Sequence, residues 1–251
     1  MDVRVRGAVA PNPFLSARDV FETEHDLEKP VWVEVQADPD ERTWTSHHDD
    51  YHTLNISRQA ATSAMARELA LHEYAHMQRF EEAHPSHVQS MAEVLYLALA
   101  GREVERQRIA HCYQIANHMK DIYADDITLS VDPGGKLVDF FESALASAVA
   151  DTSGSFQTGG TRVASAGTDP DITAVNAAFA LAMVERHDLV RDDHQLYDLA
   201  HAAANDAPTV NVDRFKRQFS TLGVDPTASE YRKSLVDVTR SYVLAGQQGA
   251  D

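Results

Sequence analysis

The sequence MARELALHEYAHM, residues 65–77, is the stretch on which the interpretation of the whole chain depends. Met65, Leu69, His72 and His76 recur at spacings of three and four residues, the period of an α-helix. Two histidines four residues apart leave the same face of a helix, and their ring nitrogens can bind one metal ion at about 2.0–2.1 Å. The stretch therefore predicts a helix that carries a metal site.

Glu73 follows the first histidine directly and completes the pattern HExxH. On a helix this glutamate points beside the metal, where its carboxylate can hold the proton of a metal-bound water. The pattern indicates zinc as the metal and Glu73 as the general base of a hydrolysis. The simplest alternative is a solvated helix face with two surface histidines and no metal.

A catalytic zinc usually has three protein ligands and a water molecule, so a third ligand has to come from elsewhere in the chain. The segment KDIYADD, residues 120–126, is the best source, because Asp121 and Asp125 lie one helical turn apart. One of the two can bind the ion while the other accepts a hydrogen bond from a ligand histidine. Other residues remain open as the third ligand: Glu93, Glu103, Glu105, His111 and His118.

These two segments together resemble the zincin metallopeptidases, in particular the gluzincin branch, which pair HExxH with a downstream helix carrying Glu-x-x-x-Asp. In the HtpX-like membrane proteases the second motif reads Glu-x-x-Ala-Asp, and here it reads Asp121-x-x-Ala124-Asp125. The first position departs from the gluzincins, although an Asp third ligand is known among the aspzincins. The resemblance covers about residues 51–130. The whole chain resembles uncharacterised protein families of halophilic archaea.

The resemblance implies a role for each matching residue. His72, His76 and Asp121 would be the zinc ligands, and Glu73 would be the general base. Asp125 would orient a ligand histidine through a hydrogen bond. The expected activity is that of a zinc-dependent peptidase acting on a peptide or protein substrate.

The charge balance of the chain limits its partners. Against 39 acidic residues there are 22 basic ones, of which only 5 are Lys, and the formal net charge is −17. A surface that binds nucleic acid needs clustered Lys and Arg, so we expect no nucleic-acid partner. Acid excess together with Lys scarcity is typical of proteins from extreme halophiles, and the alternative is an ordinary acidic cytosolic protein.

The expected compartment is the cytoplasm. Cys112 is the only cysteine, so the chain cannot form an internal disulfide. Residues 1–6 lack the apolar run of a signal peptide. The most apolar stretches, such as residues 94–100, are too short to span a bilayer, so we expect no membrane association. The oligomeric state is left open.

Hydrophobic periodicity predicts an α+β fold, with a small N-terminal sheet followed by helices. Alternating patterns predict strands at residues 3–6, 31–36 and 51–57. The stretch 38–50 is polar and is predicted to be a loop, and the string HHDDYH, residues 47–52, is interpreted as a polar loop before a strand. We expect Pro85 to end the HExxH helix by residue 83 or 84, and Ser86 with Gln89 to form a capping box for the next helix. The helix that begins after Ser86 is expected to run through Met91 to about residue 101. Further helices are predicted at these approximate positions: 102–126, 135–150, 171–187, 192–205, 212–222 and 229–245.

The expected domain organisation has three parts. Residues 1–150 would form the zincin-like metal-binding domain, 151–170 a linker or mobile loop rich in Ser, Gly and Thr, and 171–251 a helical C-terminal lobe. In the hydrolase interpretation, the strand at 51–57 would align an extended substrate by main-chain pairing. Two alternatives remain: a non-catalytic zincin-fold protein that keeps its metal as a regulator or binding module, and a metal-free helical interaction protein.

Overall fold

The computed structural model describes residues 1–39, 41–154 and 169–247, and within these ranges the fold is α+β, as predicted. The described elements comprise four strands and eleven helices, which follow one another along the chain in this order: β1 (Val3–Arg6), α1 (Asn12–Phe21), β2 (Val31–Gln36), β3 (Trp44–His47), β4 (His52–Ser57), α2 (Arg58–Ala61), α3 (Ala66–Glu81), α4 (Pro85–Val88), α5 (Met91–Leu99), α6 (Arg106–Val131), α7 (Gly135–Gly154), α8 (Pro170–Arg186), α9 (Gln195–Asp206), α10 (Val212–Ser220) and α11 (Ala228–Gln247).

The chain divides into two compact units. The first unit contains residues 1–88 and 120–136, and the second contains 89–119 together with the chain from Leu137 onward. This division differs from the expected domains 1–150 and 171–251, because the segment from Gln89 to Met119 packs with the C-terminal helices. Within the second unit, for example, α5 packs against α11. The predicted linker falls mostly on residues outside the described ranges.

The first unit contains a four-stranded sheet in the order β1-β2-β4-β3. The pairs β1/β2 and β2/β4 are parallel, whereas β3 runs antiparallel to β4, with Trp44 opposite Asn55 and His47 opposite His52. All six residues of β4 are buried, which is typical of an interior strand covered on both faces. The three predicted strands are confirmed, with the third beginning at His52 instead of Tyr51.

Two elements of the first unit were not predicted. β3 lies in the stretch 38–50 that we interpreted as a polar loop, because its sequence Trp-Thr-Ser-His has no apolar alternation and its strand conformation depends on pairing with β4. α1 lies in a third of the chain that we interpreted as strands alone. Its buried side chains, Phe14, Ala17 and Phe21, follow the helical period.

β3 also corrects the expected substrate-binding strand. β4 pairs with β2 on one side and with β3 on the other, so both of its hydrogen-bonding edges are occupied. An extended peptide therefore cannot add to β4. Within the described chain β3 pairs with β4 alone, which leaves β3 as the edge strand on this side of the sheet.

The HExxH segment forms the middle of α3, and this helix ends at Glu81, before Pro85, as predicted. The predicted capping box at Ser86 and Gln89 is wrong. Ser86 lies inside the short helix α4, and Ser90 caps α5 by accepting a hydrogen bond from the backbone N–H of Glu93. The segment after Pro85 makes one extra helical turn, which a capping pattern does not reveal.

The core of the first unit fixes the orientation of α3. Its buried face includes Ala70, Leu71, Tyr74 and Met77, and it packs into one cluster with residues of β2, β4 and α1. Tyr74 is fully buried and its hydroxyl donates to the carbonyl oxygen of Phe14 at 3.2 Å. Because this face is held in the core, His72 and His76 lie on the other side of the helix with part of their side chains accessible.

The second unit is helical. α8 is buried along most of its length and packs against α9 and α10, as expected of its largely apolar sequence. The predicted C-terminal helices are confirmed as α8 to α11, with bounds shifted by a few residues. Among the helices of the described ranges, none combines the length and the apolar composition that crossing a bilayer requires.

Candidate metal centre

Three side chains of the first unit converge in a geometry suited to one metal ion. The Nε2 atoms of His72 and His76 are 3.0 Å apart, and Oδ1 of Asp121 lies 3.3 Å from Nε2 of His76 and 3.9 Å from Nε2 of His72. Ligand atoms about 2.0–2.2 Å from one zinc ion at tetrahedral angles are about 3.3 Å apart. The three ligand atoms are therefore spaced so that they could hold one metal ion of this size.

The structure brings together the ligand set expected from the sequence. Within the described residues, the group of His, Cys, Asp and Glu side chains close enough to share an ion consists of His72, His76 and Asp121. The rival third ligands do not belong to this group. They lie in the second unit, where Glu93 pairs with Arg232 and His118 is hydrogen-bonded to Asn176.

Asp125 holds His72 from the side opposite the metal position. Its Oδ1 lies 2.7 Å from Nδ1 of His72, and the carboxylate is buried. A carboxylate accepts the Nδ1 proton, so Nε2 of His72 is left to bind the ion. Asp121 and Asp125 thus face different nitrogens of His72, Nε2 and Nδ1, because the turn of α6 that separates them allows both to reach the same histidine.

His87 performs the corresponding task for His76, and sequence reasoning missed it. Its Nε2 lies 2.8 Å from Nδ1 of His76, and its Nδ1 lies 2.7 Å from the hydroxyl of Ser86, which in turn lies 2.7 Å from Nδ1 of His84. The available signal was a histidine pair in HPSH, residues 84–87, shortly after the end of α3. The turn at Pro85 places the ring of His87 beside His76.

Glu73 is buried next to the three candidate ligands, with a relative exposure of 7%. Burial raises the pKa of its carboxyl group, while the neighbouring histidines lower it. The side chain makes no hydrogen bond to any residue in the described part of the chain. A carboxylate in this setting accepts a proton more readily than a solvated one, which suits a general base.

The charge of the site is set by its carboxylates. Burial opposes protonation of His72, but the nearby carboxylates, Asp125 foremost, raise the pKa of its imidazole to about 10. Since a metal ion binds the unprotonated nitrogen, ion binding at neutral pH has to displace this proton. The two carboxylates therefore favour a positive charge at this position, which a proton on His72 or a bound cation could supply.

Two tyrosines of the motif segments and the one cysteine of the chain are buried side chains. Tyr74, within the HExxH segment, and Tyr123, between Asp121 and Asp125, are fully buried in the first unit. Cys112 is fully buried in the second unit, and burial raises the pKa of its thiol to about 11, which disfavours the nucleophilic thiolate. In the string HHDDYH, residues 47–52, His47 ends β3 and His52 begins β4. The four residues between them connect the two strands, so the predicted loop before a strand is confirmed for residues 48–51.

Comparison with known proteins identifies a family without an assigned activity. No curated protein and no solved structure matches the chain. A family of unknown function, DUF5781, matches over residues 1–244, and the chain therefore belongs to that family.

Proposed function

We propose that this protein is a zinc-dependent hydrolase, and specifically a metallopeptidase that acts on peptides or proteins in the cytoplasm. The observation that carries the proposal is the convergence of His72, His76 and Asp121 on one point, with Glu73 buried beside them. The choice of peptides as substrates is supported by the resemblance of the two motifs to the gluzincins, and not by the fold.

The residues of the site would divide the reaction among them. A bound zinc ion would polarise the scissile carbonyl group and make water at the open position more acidic. Glu73 would accept the proton of the attacking water and pass it to the nitrogen of the leaving amine. Asp125 and His87 would hold the two histidine rings in the orientation that presents Nε2.

The edge strand β3 would align the substrate. An extended peptide can add to an exposed strand edge by main-chain hydrogen bonds, and this mode of binding tolerates many side chains. β3 meets these conditions because it contacts α3, the helix of the metal centre, and is paired with β4 alone in the described chain. We therefore assign to β3 the substrate-aligning role that the sequence had suggested for the neighbouring strand.

The test combines metal content with hydrolysis. Purified protein should contain about one zinc ion per chain by elemental analysis. It should cleave some members of a mixture of unstructured peptides, as detected by mass spectrometry. Glu73→Gln should retain the zinc and lose the cleavage, whereas Glu24→Gln, a change at an exposed glutamate of the first unit, should retain both.

Three outcomes would contradict the proposal. If the protein held no zinc after gentle purification, the proposed metal centre would be contradicted. If the protein held zinc and cleaved no peptide, the proposed hydrolase activity would be contradicted. A Glu73→Gln variant as active as the parent would contradict the role of Glu73 as general base. Zinc without cleavage would favour the alternative of a non-catalytic metal-binding regulator.

A further inference from the structure

A second histidine system lies beside the metal centre and is not used by the mechanism above. His47, the last residue of β3, faces His52 of β4 across the strand pair, and their Nδ1 atoms are 3.0 Å apart. On the far side of His52, Nε2 lies 2.9 Å from Oε1 of Glu81. The three side chains form a continuous line of hydrogen bonds, which we call the Glu81–His52–His47 chain.

The direction of these hydrogen bonds follows from Glu81. Its carboxylate also accepts the backbone N–H groups of Glu28 and Lys29, at 2.8 and 3.0 Å, and an ionised carboxylate accepts without donating. His52 therefore donates from Nε2 to Glu81, and its Nδ1 carries a lone pair. That lone pair accepts the Nδ1 proton of His47. The Nε2 atom of His47 is left unprotonated.

Burial keeps both rings neutral, as this arrangement requires. Burial lowers the pKa of His52, more strongly than Glu81 raises it. The pKa of His47 is lowered to about 4, mainly by burial and also because a proton on this ring would be repelled by one on His52 or His76. At neutral pH each ring then carries one proton, on Nδ1 of His47 and on Nε2 of His52.

The ring of His47 lies over the helix that carries the metal ligands. It stacks on Phe80 with centroids 3.8 Å apart and planes 7° from parallel. Phe80 follows His76 by four residues on α3, which is one helical turn, or about 6 Å along the axis. His47 therefore lies about one turn beyond the metal centre, within reach of a ligand longer than a single residue.

The Nε2 atom of His47 is free to bind such a ligand. His47 is half-buried, and its Nε2 has no hydrogen-bond partner among the described residues. Most acceptors on a strand edge are backbone carbonyl groups, whereas this one is a side-chain nitrogen with a fixed lone pair. Its natural partner is an N–H group, which every peptide bond of a substrate except those before proline provides.

We propose that His47, held in its Nδ1-protonated form by His52 and Glu81, accepts a hydrogen bond from a main-chain N–H of a peptide bound at the metal centre. The proposal rests on the proposed function for the presence of a metal-bound ligand, but it does not require that the ligand be cleaved. It assigns a recognition role to His47 and positioning roles to His52 and Glu81.

The experiment compares two ligands on four proteins. The ligands are a peptidyl hydroxamate, which binds zinc, and its analogue with the amide N–H replaced by an ester oxygen. The proteins are the zinc-loaded chain, His47→Phe, His47→Gln and His48→Phe. His47→Phe retains an aromatic ring over Phe80 and removes the nitrogen, and His47→Gln offers an oxygen acceptor. His48→Phe is the matched control, since the ring of His48 stacks on Tyr51.

Titration calorimetry measures the dissociation constant of each ligand from each protein. The parent and His48→Phe should bind the amide about 3- to 10-fold more tightly than the ester, the value of one hydrogen bond. In His47→Phe the two ligands should bind equally, and in His47→Gln part of the preference should return. A preference for the amide that is the same in His47→Phe as in the parent would overturn the proposal.

A second measurement needs no metal and separates the two proposals. Nitrogen chemical shifts of the histidine rings in the metal-free chain should show His47 protonated at Nδ1 and His52 at Nε2. Protonation of His47 at Nε2 would overturn the inference even if the protein is an active peptidase. Conversely, loss of the amide preference in His47→Phe would support the inference even if no peptide is cleaved, in which case the hydrolase proposal alone fails.

Discussion

His72 and Asp125 are 53 residues apart in the sequence, and yet Nδ1 of the one lies 2.7 Å from Oδ1 of the other. This contact joins α3 to the part of α6 that belongs to the first unit. It selects the ring nitrogen that His72 presents to the metal position, and it places the neighbouring Asp121 beside both histidines.

Replacing Asp125 by Ala should weaken zinc binding about 10- to 100-fold without abolishing it, because the ligands remain and only the orientation of His72 is lost. Competition with a chromophoric chelator measures the affinity. Asp139→Asn, a change at an exposed residue of α7, is the control and should bind zinc like the parent. Unchanged affinity in Asp125→Ala would show that the hydrogen bond does not support a metal ligand.

Replacing Asp121 by Ala should weaken zinc binding more than the loss of Asp125 does, by at least about 100-fold, because a direct ligand is removed. The same chelator competition checks this order. Glu93→Gln serves as the control for the rival ligands, since Glu93 pairs with Arg232 in the second unit. If Glu93→Gln lost zinc and Asp121→Ala kept it, the ligand set would be wrong.

Replacing His87 by Ala should weaken zinc binding about 10-fold, because Nδ1 of His76 loses the acceptor that fixes its ring. His87→Gln should recover part of the affinity, since its amide oxygen can accept the same proton. The recovery distinguishes a positioning role from simple packing, which Gln would not restore. Equal losses in the Ala and Gln variants would argue for packing alone.

The stability of the metal-free protein should fall as the pH decreases from about 6.5 to 4. Burial lowers the pKa of His47 to about 4, so below its ordinary value the unfolded chain takes up a proton that the folded chain rejects. This contribution is fully present above pH 6.5 and is lost on acidification. Chemical denaturation at several pH values should therefore show that the free energy of unfolding depends less on pH in His47→Phe than in the parent. The difference should correspond to at most one proton taken up on unfolding. Identical pH dependence in both proteins would place the ring of His47 in solvent.

Replacing Phe21 by Ala should lower the free energy of unfolding by about 3–5 kcal/mol, because it leaves a cavity where α1 packs against α3. Phe21 is fully buried and meets the ring of Tyr74 edge-on at 6.1 Å. Phe140, which is 53% exposed, provides the control: Phe140→Ala should change the stability by only about 0.5 kcal/mol. Denaturant titration of both variants measures the difference.

Much of the fold could be predicted because its signals are local. The helical period of residues 65–77 and the alternation at β1 and β2 depend on neighbours within a few positions, and both were confirmed. β3 and α1 were not predicted, for two different reasons. β3 has little apolar pattern of its own and forms because β4 supplies its hydrogen bonds, whereas the period of α1 is contained in only ten residues.

For the candidate site, the sequence by itself determined which residues could share a metal and which helix would carry them. A spacing of four on a helix places His72 beside His76, and a spacing of four places Asp121 beside Asp125, whatever the rest of the chain does. Only the tertiary structure brought Asp121, and not the rival residues, close to the two histidines, placed His87 beside His76 and set His47 over Phe80. These contacts depend on how segments far apart in the sequence pack together and on the turn at Pro85. A local sequence pattern does not contain that information.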